Sequence, residues 1–92
     1  MNQNRNVNKL TNVKGEEISL NESYLSIKEV VEKCGVSRST ILRLESAKKF
    51  PPSHNITDNR KVWFESDVQL WRTLGAQAFY AMYGKQLEQQ VA

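Results

Sequence analysis

The chain has one cysteine, Cys34, and one histidine, His54, and those two scarcities remove several classes of function at once. A lone cysteine cannot close an intrachain disulfide, and one cysteine with one histidine cannot assemble a structural zinc site. No apolar stretch approaches the roughly 20 residues that span a bilayer, so no membrane partner is expected. The start of the chain lacks a charged head followed by an apolar run and a cleavage site, so a cytoplasmic protein is expected. No Ser-His-acid set, carboxylate pair, glycine loop for phosphates or metal cluster is visible, so neither an enzyme nor a cofactor is expected. Cys34 reads as a small packing residue, Trp63 and Trp71 as core, and His54 as an ordinary strand or loop residue.

What the chain does have is an uneven distribution of charge. Its 92 residues carry a formal net charge of only +3, but residues 23 to 63 hold eight basic side chains, Lys28, Lys33, Arg38, Arg43, Lys48, Lys49, Arg60 and Lys61, against four acids, Glu29, Glu32, Glu45 and Asp58. Basic and acidic residues cancel over 1 to 22. Partner choice follows such local fields more than totals.

Residues 1 to 22 open with MNQNRNVNKLTN, rich in Asn and poor in large apolar groups, and read as a flexible polar arm. Val13 to Leu20 fits a short strand or an extended lead-in. Residues 23 to 75 read as one domain. Ser26 with Glu29 forms a capping box, and Ile27, Val30, Val31 and Cys34 follow at helical spacing, predicting a helix over about 27–34. Gly35 stops it and Ser37 caps a second helix, which Phe50-Pro51-Pro52 is expected to end. On that second helix Thr40, Ile41, Leu44, Ala47 and Lys48 fall on one side, and Arg38, Ser39, Leu42, Arg43, Ser46 and Lys49 mostly on the other. His54 to Phe64 reads as a hairpin around Thr57-Asp58-Asn59-Arg60, with Arg60 and Lys61 near its tip. Ser66 with Gln69 suggests another capping box, opening a third helix with the stripe Val68, Trp71 and Leu74 and a stop at Gly75. Residues 76 to 92, with Phe79, Met82, Tyr83 and Leu87 at helical spacing, read as an amphipathic helix or tail, lying either on the domain's own core or against a second copy.

The expected architecture is therefore mainly α with a small β-hairpin wing, a winged helix-turn-helix. Two short helices on a tight glycine turn, the second polar on its outer side, suit a recognition helix for the major groove of double-stranded DNA. Arg38 and Arg43 can pair with phosphate or fork onto a guanine edge, Ser39 and Ser46 can bond phosphate or base, and Leu42 can touch a thymine methyl. Ser37 caps a helix end that favours a phosphate, and Thr40 reaches toward the same place from the edge of the packed side. Lys49 extends the polar face, while Arg60 and Lys61 can meet backbone or minor groove beside the helix. Taken singly, each of these basic residues is an ordinary solvated charge; the reading rests on their order.

The runs Tyr24-Leu25-Ser26-Ile27-Lys28-Glu29-Val30, Gly35-Val36-Ser37-Arg38-Ser39-Thr40-Ile41, Lys49-Phe50-Pro51 and Val62-Trp63-Phe64-Glu65-Ser66-Asp67-Val68-Gln69-Leu70-Trp71 resemble the AlpA-type regulators and excisionases of bacterial prophages and integrative elements. These are similar in turn to the DNA-binding part of MerR-type winged-helix proteins. The resemblance implies DNA binding through the second helix and the wing. It implies action as a transcriptional regulator of the element's genes, or as an excisionase that bends DNA and biases a tyrosine integrase toward excision. It also implies a bacterial, nucleoid-associated protein. The chain departs from the family pattern at Thr57-Asp58-Asn59, where a glycine is common, and after Gly75. A different expectation is a protein-interaction module that keeps the winged scaffold and works, or self-associates, through its C-terminal helix.

Overall fold

The computed structural model describes residues 10–91. Within them, helices surround a small antiparallel sheet of three strands in the order β1-β3-β2. Strand β1 is Tyr24–Leu25, β2 is His54–Thr57 and β3 is Arg60–Phe64. The hairpin β2–β3 forms as the sequence suggests, with Asn55 opposite Lys61 and Thr57 opposite Arg60 around the Asp58-Asn59 turn, and with a register irregularity between Asn55 and Thr57. Strand β1 is an addition that periodicity could not reveal, because two residues show no alternation. It pairs Tyr24 with Phe64 and Leu25 with Trp63, so that β3 becomes a central strand. Burial follows: Arg60 and Lys61 are exposed, whereas Val62, Trp63 and Phe64 are enclosed.

Helix α1, Ile27–Cys34, starts on the expected capping box. Glu29 N–H donates to Ser26 Oγ at 3.2 Å while Glu29 Oε1 accepts from the Ser26 N–H at 2.8 Å. Those bonds favour the ionised glutamate and lower its pKa. Gly35, at φ 72°, ends the helix in the left-handed region, its N–H bonded to the Val31 carbonyl at 2.9 Å. Ser37 then caps α2, Arg38–Ser46, by accepting from the Thr40 N–H.

Helix α2 stops four residues before Phe50, earlier than the proline pair indicates. The chain leaves the helix through Lys48, whose φ of 62° makes it a non-glycine residue in the left-handed region. Lys49 N–H returns to the Leu44 carbonyl at 2.8 Å, so the terminal carbonyl is satisfied without glycine. Ala47 and Lys48 therefore lie outside the helix, and Ala47 is exposed rather than packed. Two indoles hold the exit segment. Trp71 Nε1 donates to the Lys49 carbonyl at 2.8 Å and Trp63 Nε1 to the Pro51 carbonyl at 3.1 Å. Phe50, packed on Trp71 with ring centroids 4.8 Å apart, drops into the core. The strain of the left-handed lysine is thus offset by burial of an aromatic ring and two satisfied carbonyls.

The core joins Leu25, Val30, Ile41, Phe50, Trp63 and Val68, with Ile27, Val31, Cys34, Val36, Leu44 and Trp71 packed against it. Both tryptophans are therefore structural. Cys34 is half-buried, and burial pushes its thiol pKa up, away from the reactive thiolate.

Helix α3, Glu65–Leu74, follows β3 without a break, and this overturns the Ser66-Gln69 capping box. Phe64 occupies the cap position and Ser66 already lies inside the first turn. The missing acceptor comes from far upstream in the sequence. Glu22 takes the Ser66 N–H at 3.1 Å and the Ser66 hydroxyl at 2.6 Å. Of the residues read as an arm, 1 to 9 lie outside the described part. Asn12 to Glu16 form a turn, and the Val13 N–H donates to Asp67 Oδ1 at 3.2 Å.

After Gly75 the chain is helical again as α4, Ala76–Phe79, a π-helical turn, Tyr80–Gly84, and α5, Lys85–Val91. Phe79 is fully buried and Met82 is 53% exposed, which divides the expected apolar stripe between interior and surface. Gly84 sits so close to the end of α2 that a Cβ there would meet the Lys48 carbonyl oxygen and the Tyr80 ring. Gly84→Ala is expected to destabilise the protein by about 1 to 3 kcal/mol through overpacking, despite alanine's better helix propensity. Thermal unfolding of the two proteins checks this; an alanine variant as stable as the parent would show that the helix docks more loosely.

Candidate nucleic-acid interface

The connection Gly35-Val36-Ser37 turns α1 into α2 so that Ile41 is buried and Arg38, Ser39, Leu42, Arg43 and Ser46 stay on the outside. Glu45 is the one acid on α2, and it does not face outward with them. Its Oε2 accepts from both the N–H and the hydroxyl of Ser53 at 2.7 Å, which ties the end of α2 to the start of the hairpin. The exposed face of α2 is left with two arginines, three hydroxyls counting Ser37, and the side chain of Leu42, 38% exposed. An acidic residue absorbed by an internal bond is a feature that helical spacing alone could not predict.

The first turn of α2 carries a hydroxyl cluster. Ser37 Oγ donates to Thr40 Oγ1 at 2.8 Å and lies 3.3 Å from Ser39 Oγ. Arg43 Nη2 donates to the same Thr40 oxygen at 3.5 Å. Thr40, half-buried, is thereby the least available member of the set, while its neighbours remain exposed. The 2.8 Å bond to Thr40 orients the Ser37 hydroxyl along the helix, whereas the longer contact leaves the exposed Arg43 guanidinium free to move.

Strand β3 brings Lys61, one of the hairpin's basic pair, beside this helix. Lys61, Arg38 and Leu42 line one cleft together with Ile27 and Trp63. Arg60 is exposed one residue nearer the turn, and its charge contributes to lowering the Glu29 pKa. Ser46, Lys49 and Arg60 are exposed but do not line the cleft, and Lys49 lies beyond the end of α2 rather than on it. Ile27 and Trp63 are the residues of this surface that the sequence did not flag, since their apolar character marked them only as core. His54 contributes no charge here. Its ring stacks on Phe64 at 4.3 Å and 8°, Nε2 is enclosed without a partner among the described residues, and burial lowers its pKa, so the imidazole is neutral near pH 7.

Among the described residues no group of three or more His, Cys, Asp or Glu side chains is placed to hold a metal ion, and no helix is long and apolar enough to cross a membrane. The chemistry on offer is that of exposed guanidinium, ammonium and hydroxyl donors around a hydrocarbon cleft, suited to anionic oxygen atoms attached to a carbon framework.

The chain is 38% identical over 50 residues to an uncharacterized protein, ORF88, of Enterobacteria phage P4, across 54% of this chain and 57% of the phage protein. It thus spans somewhat over half the length of that relative. No solved structure matches it. The model of the family described as prophage CP4-57 regulatory protein (AlpA) matches residues 23–74, which contain the whole three-stranded sheet and helices α1 to α3. More than half of the sequence is matched, and the chain belongs to the AlpA family of prophage regulatory proteins.

Proposed function

We propose that this protein is a winged helix-turn-helix DNA-binding protein that recognises specific duplex sites of its prophage or integrative element. It acts there as a transcriptional regulator, as an excisionase for a tyrosine integrase, or as both. The observation that carries the reading is the convergence of two elements on one cleft whose lining holds no acid: Arg38 and Leu42 of α2 with Lys61 of β3. In this reading α2 is the recognition helix and β2–β3 the wing. Arg43 and Ser46 face base edges, Ser37, Ser39 and Arg38 serve phosphates near the helix start, and Lys49, Arg60 and Lys61 add backbone contacts on either side. Thr40 acts by holding Ser37. Self-association on DNA through the C-terminal helix would fall to Met82, because Phe79 is already buried.

Binding of the full chain to duplexes from the element's attachment region and neighbouring promoters, followed at several salt concentrations, tests the reading. It fails if no duplex binds in a salt-dependent way. Footprints over the attachment site support excision, and footprints over promoters support transcriptional control. Arg43→Ala is expected to cost about 1 to 3 kcal/mol on the specific site and to relax sequence preference there, whereas Lys61→Ala weakens specific and random duplexes alike. Equal losses on both duplexes for both variants would remove the division of labour between helix and wing.

A further inference from the structure

The cleft between α2 and β3 has a composition that neither exposed charge nor core packing requires. Its lining is Ile27, Leu42 and Trp63 for hydrocarbon and Arg38 and Lys61 for charge, and no acidic side chain is among them. Its volume is about 260 Å³. A water molecule's share of liquid is only roughly 30 Å³, so the space suits a group larger than solvent. Two cations brought to one cleft from separate elements repel each other, and an anion placed between them turns that repulsion into attraction. Trp63 cannot turn away to close the cleft, since its indole N–H is fixed to the Pro51 carbonyl.

On these grounds we infer that the cleft is a binding site for one nucleotide unit of the DNA backbone. The deoxyribose lies on Ile27 and Leu42, above the buried Trp63 that floors the cleft, and its phosphate is shared by Arg38 and Lys61. The inference deepens the DNA-binding reading and rests on it. Stacked bases offer polar edges, whereas the outer rim of a duplex offers this alternation of sugar carbons and phosphate oxygens. The site makes α2 and the wing grip one phosphate instead of two, which fixes the helix in register along the backbone. Leu42 then contributes through a sugar and not through a thymine methyl.

Counterion release gives a test, because the salt slope counts phosphates neutralised, at about 0.9 for each. Binding of the full-length parent, Arg38→Ala, Lys61→Ala and the double variant to the footprinted duplex is measured against salt, with circular dichroism confirming the fold. A shared phosphate predicts that the double variant lowers the slope by about 0.9 in total, and each single variant by less. A fall of about 1.8 in the double variant means two separate phosphates and overturns the proposal, as does an unchanged slope. Single methylphosphonate substitutions along the backbone should reveal one position to which parent binding is most sensitive, each single variant less so and the double variant not at all; different positions for the two single variants also overturn it. Replacing thymine by uracil beside that position should leave parent affinity unchanged. A loss there that Leu42→Ala abolishes would place a thymine methyl in the cleft and reject the sugar. If the parent itself binds no duplex in a salt-dependent way, the failure lies with the DNA-binding reading.

Discussion

Trp63→Ala is expected to remove about 3 to 5 kcal/mol of stability, the largest effect of any single substitution considered. A domain of this size is stable by only about 5 to 14 kcal/mol, so the loss takes a large share of it. The side chain is 1% exposed and belongs to the central core cluster, and its Nε1–H is the donor for the Pro51 carbonyl at 3.1 Å. Truncation therefore opens a cavity and also leaves a buried acceptor unpaired. Trp63→Phe separates the two contributions: it retains most of the ring volume while losing the bond, and should cost about 1 to 3 kcal/mol. Urea unfolding followed by far-UV circular dichroism measures both. An alanine variant within about 1 kcal/mol of the parent would mean that the strand pairing, and not the indole, holds β3 in place.

The two indoles explain how a short polar helix can be presented rigidly. Trp63 reaches from β3 and Trp71 from α3 to the Pro51 and Lys49 carbonyls of the segment that leaves α2, while Gly84 lets the C-terminal helix approach Lys48 in the same segment. The polar face of α2 is thus supported from behind by three elements, and its own side chains need make few internal contacts. Positioning donors on rigid elements, with packing behind them, is what keeps their geometry fixed when a ligand arrives.

Local signals were legible wherever the bond they predict lies within a few residues. The Ser26-Glu29 capping box, Gly35 and Ser37 gave the limits of α1 and the start of α2 correctly, because the cap partners are three residues away and no distant group competes. The Ser66-Gln69 pair has the same spelling and forms no box, because β3 feeds straight into α3 and Glu22, distant in sequence, supplies the acceptor. The end of α2 departs from the expectation for a related reason. A lysine in the left-handed region is not signalled by residue type, and it is tolerated here because Phe50 and the two tryptophans reward the bend. Strand β1 was invisible at two residues long. For the candidate interface, the polar set on α2 and the pair Arg60-Lys61 could be read from spacing. The seclusion of Glu45 on Ser53 and the apolar floor of the cleft depend on tertiary contacts and could not.

Asp67 should make stability depend on pH in the direction opposite to an ordinary salt-bridged carboxylate. It is 2% exposed, at the third position of α3, and among the described residues its Oδ2 has no hydrogen-bond partner while Oδ1 accepts only the Val13 N–H. Burial is the main cause that pushes its pKa up to about 6, with the Glu22 charge adding to it; the Val13 N–H and Lys14 pull the other way without cancelling it. In the unfolded chain the same group titrates near about 3.9. Because the folded pKa is the higher one, the folded state binds the proton more tightly. The associated stability is complete below about pH 4 and is lost as pH rises through about 6. Asn at this position keeps an oxygen for Val13 and cannot ionise. Compared with Asp67→Asn, the parent is therefore expected to lose about 2 to 3 kcal/mol between pH 4 and 7, whatever the offset between the two proteins at the acid end. Unfolding free energies of both proteins across that range decide the matter through their difference, in which the other carboxylates cancel. A flat difference would mean that Asp67 opens to water, and that the contact between the Asn12 to Glu16 turn and the start of α3 is loose.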